Sequence, residues 1–127
     1  MGKSSYESEF YKLSIDDQIL TVSYTGGPIT LDIAKDLVVH RLELAEGKEM
    51  PVLVNVIDVK GIDREARNFL STPEGLLGLK AGAIVSDSAF TKHMANFFMK
   101  ISFNKSKMPA KVFSDKDDAI NWLKRFV

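Results

Sequence analysis

The stretch VLVNVIDVKGIDREARNFL, from Val52 to Leu70, decides the fold. Its first six residues, Val52-Leu53-Val54-Asn55-Val56-Ile57, are apolar on both alternations apart from Asn55. A strand with one wet face alternates, whereas one that is apolar throughout belongs in a parallel sheet covered on both sides. A polar loop with Asp58 and Asp63 follows, and Gly61 permits a tight turn within it. Asp63 is suited to accept hydrogen bonds from the free amides of a helix, with Ala66, Phe69 and Leu70 turned inward. Thr72-Pro73 ends that helix, because the residue before a proline avoids the helical region.

Upstream, Phe10, Leu13 and Ile15 predict a first strand and Ile19–Tyr24 a second, with Asp16-Asp17 turning a hairpin between them. Gly26-Gly27-Pro28 breaks the second strand. A helix follows, capped by Thr30, with Asp32 in its first turn and Gly47 at its end. Its apolar positions, Ile33, Ala34, Leu37, Val38, Leu42 and Ala45, form one stripe of helical period. Residues 1–8 are polar and read as loose.

Downstream, residues 73–80 are rich in Gly and Leu and favour no element, and Ala81–Val85 reads as a strand. Ser88 caps a third helix with Phe90, Met94, Phe97, Phe98 and Ile101 on one face. Lys111-Val112-Phe113 is a last strand, and Ser114-Asp115-Lys116-Asp117 opens a final helix burying Ala119, Ile120, Leu123 and Phe126. The order β-β-α-β-α-β-α-β-α predicts a single α/β domain over residues 1–127. Its sheet is mostly parallel and five-stranded, with an N-terminal antiparallel hairpin and about four helices.

Three segments then resemble a known family: PVLVNVIDVKGIDREAR, AIVSDSAFTKHMANFFMKI and AKVFSDKDDAINWLK. They are similar to the SpoIIAA-like or STAS domains (sulfate transporter and anti-sigma factor antagonist), and more similar still to a bacterial subgroup of stand-alone domains with no established activity. With the hairpin, the resemblance covers roughly residues 10–127. It implies a regulatory or protein-binding module. The family's switch is a serine phosphorylated just after an aspartate in this loop, in the pattern D-S-S-G. Here the loop reads Asp63-Arg64-Glu65-Ala66, so Arg64 and Glu65 hold the hydroxyl positions and the switch is not carried over. Asn55 stands where relatives often have an aspartate. Some relatives share their topology with CRAL-TRIO lipid-transfer domains, which implies a small apolar or lipid-like ligand as the alternative.

Open α/β sheets place their sites at the carboxyl ends of the strands. Asp58, Asp63, Arg64, Ser86, Asp87, Ser88 and Ser114 each follow a strand and would form one partner-binding rim. The bland reading of the same loop is a helix cap with Arg64, Glu65 and Arg67 in water.

Composition narrows the function classes. The 127 residues carry 17 acidic and 17 basic side chains, a formal charge of zero, which gives no global pull toward nucleic acid. The absence of cysteine excludes disulfides and thiolate metal sites. MGKSSYESEF has neither the apolar core nor the cleavage site of a signal peptide, and no apolar run approaches the ~20 residues that span a bilayer. A cytoplasmic protein is therefore expected. There is no dinucleotide fingerprint, Walker loop or nucleophile elbow. His40 with Glu43 makes at most two metal ligands, and His93 lies on the helix with the aromatic stripe. No catalytic residue, metal or cofactor is assigned.

The zero charge is unevenly spread. Residues 1–80 hold 13 acidic and 9 basic side chains, and residues 81–127 hold 4 and 8. Lysines at 92, 100, 105, 107 and 111 fall in a stretch without an acid. Lys100, Phe103, Lys105 and Lys107 would suit an anionic surface, a lipid headgroup layer or an acidic partner. The bland alternative is a core helix with a solvated Lys-rich loop after it. The patch lacks arginine and its aromatics are spaced for a helix, which argues against nucleic acid. The hairpin edge leaves a homodimer open.

Overall fold

The computed structural model describes residues 4–25, 27–56, 59, 61–86 and 108–127. The elements run β1 (Ser5–Glu7), β2 (Tyr11–Asp16), β3 (Ile19–Tyr24), β4 (Pro28–Ile29), α1 (Leu31–Ala45) and β5 (Met50–Asn55). They continue with β6 (Gly61–Ile62), α2 (Arg64–Leu70), α3 (Pro73–Leu76), β7 (Leu79–Val85), β8 (Ala110–Phe113), α4 (Lys116–Leu123) and a 3-10 turn (Lys124–Phe126).

Six strands form the main sheet in the order β1-β2-β3-β5-β7-β8. The first two ladders are antiparallel, and β3–β5, β5–β7 and β7–β8 are parallel. This is the α/β fold expected, a mixed sheet opened by an antiparallel hairpin, with six strands where five were expected because β1 adds an edge. Its central strand is the apolar stretch of the quoted sequence: Val52–Asn55 pair with both β3 and β7.

The ladders add what periodicity misses. β1 lies within the residues read as loose; it pairs Ser5–Glu7 with Ser14–Lys12. One of its anchors is aromatic, because the Tyr6 ring stacks on His40 of α1 with centroids 4.2 Å apart. A segment of otherwise polar residues hides such a point contact. β4 and β6, two residues each, form a separate parallel ladder pairing Pro28 with Gly61 and Ile29 with Ile62. The ambiguous segment 73–80 resolves into the single turn of α3, a left-handed Gly78 at φ 84°, and the start of β7. Among the described residues there are thus four α-helical segments, one of them α3. The expected helix from Ser88 to Ile101 lies outside those residues.

Local signals read correctly include the Thr30 cap, whose hydroxyl oxygen accepts from Ile33 N–H at 3.3 Å. Asp115 caps α4 by accepting from Asp117 N–H at 3.3 Å. The hairpin turn is tight: Asp17 and Gln18 sit at φ 51° and 66° between Asp16 and Ile19, the two positive values of a type I′ turn.

Alternation along the strands divides the core. Leu20, Val22 and Val52 face α1 and pack with Leu37, Ala45 and Tyr11. Ile84 joins Ala34 of α1 and Ala66 of α2. On the opposite face Leu53, Ala81, Ala83 and Val85 meet Ala119 and Leu123 of α4.

Candidate functional site

Of the seven residues expected to form a rim at the carboxyl ends of the strands, the described ones are Asp63, Arg64, Ser86 and Ser114. Asp63 occupies the N-cap position of α2, but its side chain makes no capping bond. The backbone anchors it instead: its N–H donates to the Ile29 carbonyl at 2.9 Å, and its carbonyl accepts from Arg67 N–H at 2.9 Å. The β4–β6 ladder sets this entry angle and leaves the carboxylate exposed beside Arg64 and Glu65. Ser114 is exposed at the end of β8. Ser86 departs from expectation: it is 1% exposed and its N–H donates to the Phe113 carbonyl at 3.0 Å, so it belongs to the sheet end and not to an accessible rim. Asp58, Asp87 and Ser88 lie outside the described residues, as do Lys100, Phe103, Lys105, Lys107 and His93.

A second feature is an apolar cavity, whose place and lining no residue pattern marked. It lies between the sheet and α1, α2 and α3, with a volume of about 70 Å³, walled by Val22, Val52, Val54, Leu37, Val38 and Leu70. Two polar side chains also line it, Tyr24 and Arg41. Arg41 is only 4% exposed. Its Nη1 donates to the Leu77 carbonyl at 2.7 Å and its Nη2 to the Gly75 carbonyl at 3.1 Å. Burial lowers the guanidinium to about 10, with the Tyr24 phenol opposing that shift. Burial likewise raises the Tyr24 phenol well above its ordinary value, with the Arg41 charge pulling it back. The two groups therefore share one low-dielectric chamber.

Glycine makes the roof possible. A Cβ on Gly75 would lie 2.8 Å from Leu70 Cα and closer still to the Phe69 carbonyl oxygen, so α3 can fold back on the end of α2 only without one. The positive φ of Gly78 then turns the chain into β7. The sequence did hold one signal of Arg41. It falls in register with Ala34, Leu37, Val38 and Ala45 on the buried stripe, where a cation is out of place.

His40 is a structural residue in this arrangement. Its Nδ1 lies 2.9 Å from the Asp36 carbonyl and 3.1 Å from the Tyr11 hydroxyl. The Tyr11 hydroxyl donates to Asp36 Oδ2 at 2.6 Å. This cluster pins β1 and β2 to α1. Among the described residues no group of three His, Cys, Asp or Glu side chains could hold a metal, and no helix is long and apolar enough to cross a membrane.

A mixed sheet with an N-terminal antiparallel hairpin and helices on both faces defines the class: an α/β domain of the SpoIIAA-like fold. It is similar to the crystal structure of an uncharacterized DUF3478-family protein with a SpoIIAA-like fold from Shewanella loihica PV-4. The identity there is 17%, the TM-score 0.62, and coverage is 93% of this chain and 98% of that one. It is also similar to the anti-sigma factor antagonist SpoIIAA in its unphosphorylated form, at 11% identity and TM-score 0.57, covering 90% of this chain and 97% of that one. By sequence the chain belongs to the family described as Domain of unknown function (DUF7793), matched over residues 13–127. No curated protein matches it.

Proposed function

We propose that this protein is a non-catalytic regulatory module that engages a protein partner through the strand-end rim. One observation supports the reading: the exposed trio Asp63, Arg64 and Glu65 follows the parallel β4–β6 ladder at the entry to α2, on a fold shared with an anti-sigma factor antagonist. Arg64 and Glu65 stand at the hydroxyl positions of the family pattern, which supports a partner contact based on fixed charge and not on phosphorylation. The test is cross-linking and affinity capture with the wild type, Arg64→Glu and a control, Lys12→Glu, exposed on β2. Partners should be lost with Arg64→Glu and kept by the control. An identical set from all three would overturn the rim.

The cavity favours a second reading, a carrier or sensor of a small apolar ligand. At about 70 Å³ it is far below the ~300 Å³ at which drug-sized pockets begin. A ligand there would be a handful of heavy atoms, not an acyl lipid.

A further inference from the structure

We propose that the cavity beneath α1, α2 and α3 binds a small organic monoanion, a carboxylate on a short apolar tail, held by Arg41 and Tyr24. This rests on the second reading above, that the cavity takes a small apolar ligand, and adds to it a charge.

The case starts from Arg41. It is 4% exposed, and two neutral carbonyls, of Leu77 and Gly75, take one N–H from each terminal nitrogen. A guanidinium has five N–H donors. Carbonyl dipoles solvate a cation but do not cancel its charge, and among the described residues no carboxylate lies within ion-pair distance of Arg41. A buried cation without an anion retains much of its desolvation cost, which an incoming anion would offset. A tie between α1 and α3 alone would be met by a neutral donor.

The surroundings then choose the anion. Tyr24 offers a second donor on the cavity wall, and among the described residues its hydroxyl has no hydrogen-bond partner. A charged planar fork and a phenol suit the oxygens of a carboxylate. Every other wall residue is apolar or glycine, so a tail of carbon is tolerated and a second charge is not. The volume of about 70 Å³ is about five times the ~15 Å³ of such space that admits one water, room for a handful of heavy atoms. That size admits a short-chain acid and excludes nucleotides, sugars and fatty acids.

The experiment titrates the full isotope-labelled chain with sodium propionate and, separately, with propionamide, which has the same shape and no charge. Amide shifts are followed at Val22, Val54 and Gly75. Propionate should give saturable shifts at these residues, with propionamide at least tenfold weaker. Tyr24→Phe, which keeps Arg41 in place, should weaken propionate several-fold, and Arg41→Met should abolish the preference for it over the amide. If Arg41→Met does not fold, Tyr24→Phe and the amide comparison decide. Equal shifts from both probes would overturn the anion and leave the small apolar ligand standing. Saturable shifts from neither would overturn both. Propionate shifts confined to surface lysines would mark ordinary ion association and overturn the site.

Discussion

The two faces of the main sheet are built differently, and β5 shows it within two residues. Leu53 points to α4, where it is fully buried among Ala81, Ala83, Ala119 and Leu123. Val54 points to the other face and lines the cavity. Small side chains on β7 and α4 allow helix and sheet to approach closely, and a close-packed interior resists any change of volume. On the α1 face, branched side chains, a single-turn helix and a buried arginine leave space. One face is a scaffold; the other keeps a cavity and is the receiving face of the proposal.

The largest expected effect separates those neighbours. Leu53→Ala should cost about 4 kcal/mol in urea denaturation, because its site cannot collapse around the void. Val54→Ala should cost less than half as much, since space already adjoins it. Equal losses would break the comparison. Ala83→Leu attacks the tight face from the other direction and should cost about 3 kcal/mol through overpacking. A loss below about 1 kcal/mol would show that α4 can shift to make room.

The faces also differ in what they titrate. Burial and the Asp36 hydrogen bond raise the Tyr11 phenol, and burial raises Tyr24, so both fold as neutral groups. Their contribution is complete below the ordinary phenol value of 10 and is lost as pH rises toward the raised values of the folded state. Each phenol should remove about 1.4 kcal/mol per pH unit there. Arg41 runs the opposite way: its lowered value of about 10, against an ordinary 12.5, costs stability in full at neutral pH and relieves it as pH climbs between those values. Stability should therefore fall above pH 10, with Tyr11→Phe removing about one phenol's share of the slope. An unchanged alkaline slope in Tyr11→Phe would show that its hydroxyl ionises freely.

Much of the scaffold was legible in sequence because its signals are periodic and local. The apolar run at Val52 named the central parallel strand, and Thr30 and Asp115 announced their helices. What stayed hidden depends on pairings distant in sequence. Two-residue strands such as β4 and β6 have no period to read, yet their ladder, and not the Asp63 side chain, sets the entry to α2. Ser86 follows a strand as a rim residue should, but the Phe113 carbonyl draws it into the sheet end. The candidate cavity was hidden for the same reason, since Arg41 and Gly75 are brought together across 34 positions.

The smallest expected effect has an unusual sign. Adding a methylene to a packed core destabilises, as Ala83→Leu should. Val38→Ile adds the same kind of group to a side chain that lines the cavity. A buried methylene is worth about 0.8 kcal/mol when it fills space without strain. Part of that is lost to imperfect fit, leaving a gain of about 0.5 kcal/mol, read as a rise in the urea midpoint at unchanged slope. The same substitution should weaken propionate, because methyl and ligand compete for one volume. A gain in stability with undiminished propionate binding would place the ligand elsewhere. A loss near that of Ala83→Leu would mean that the α1 face is packed as tightly as its opposite, and the distinction between scaffold and receiving face would fail.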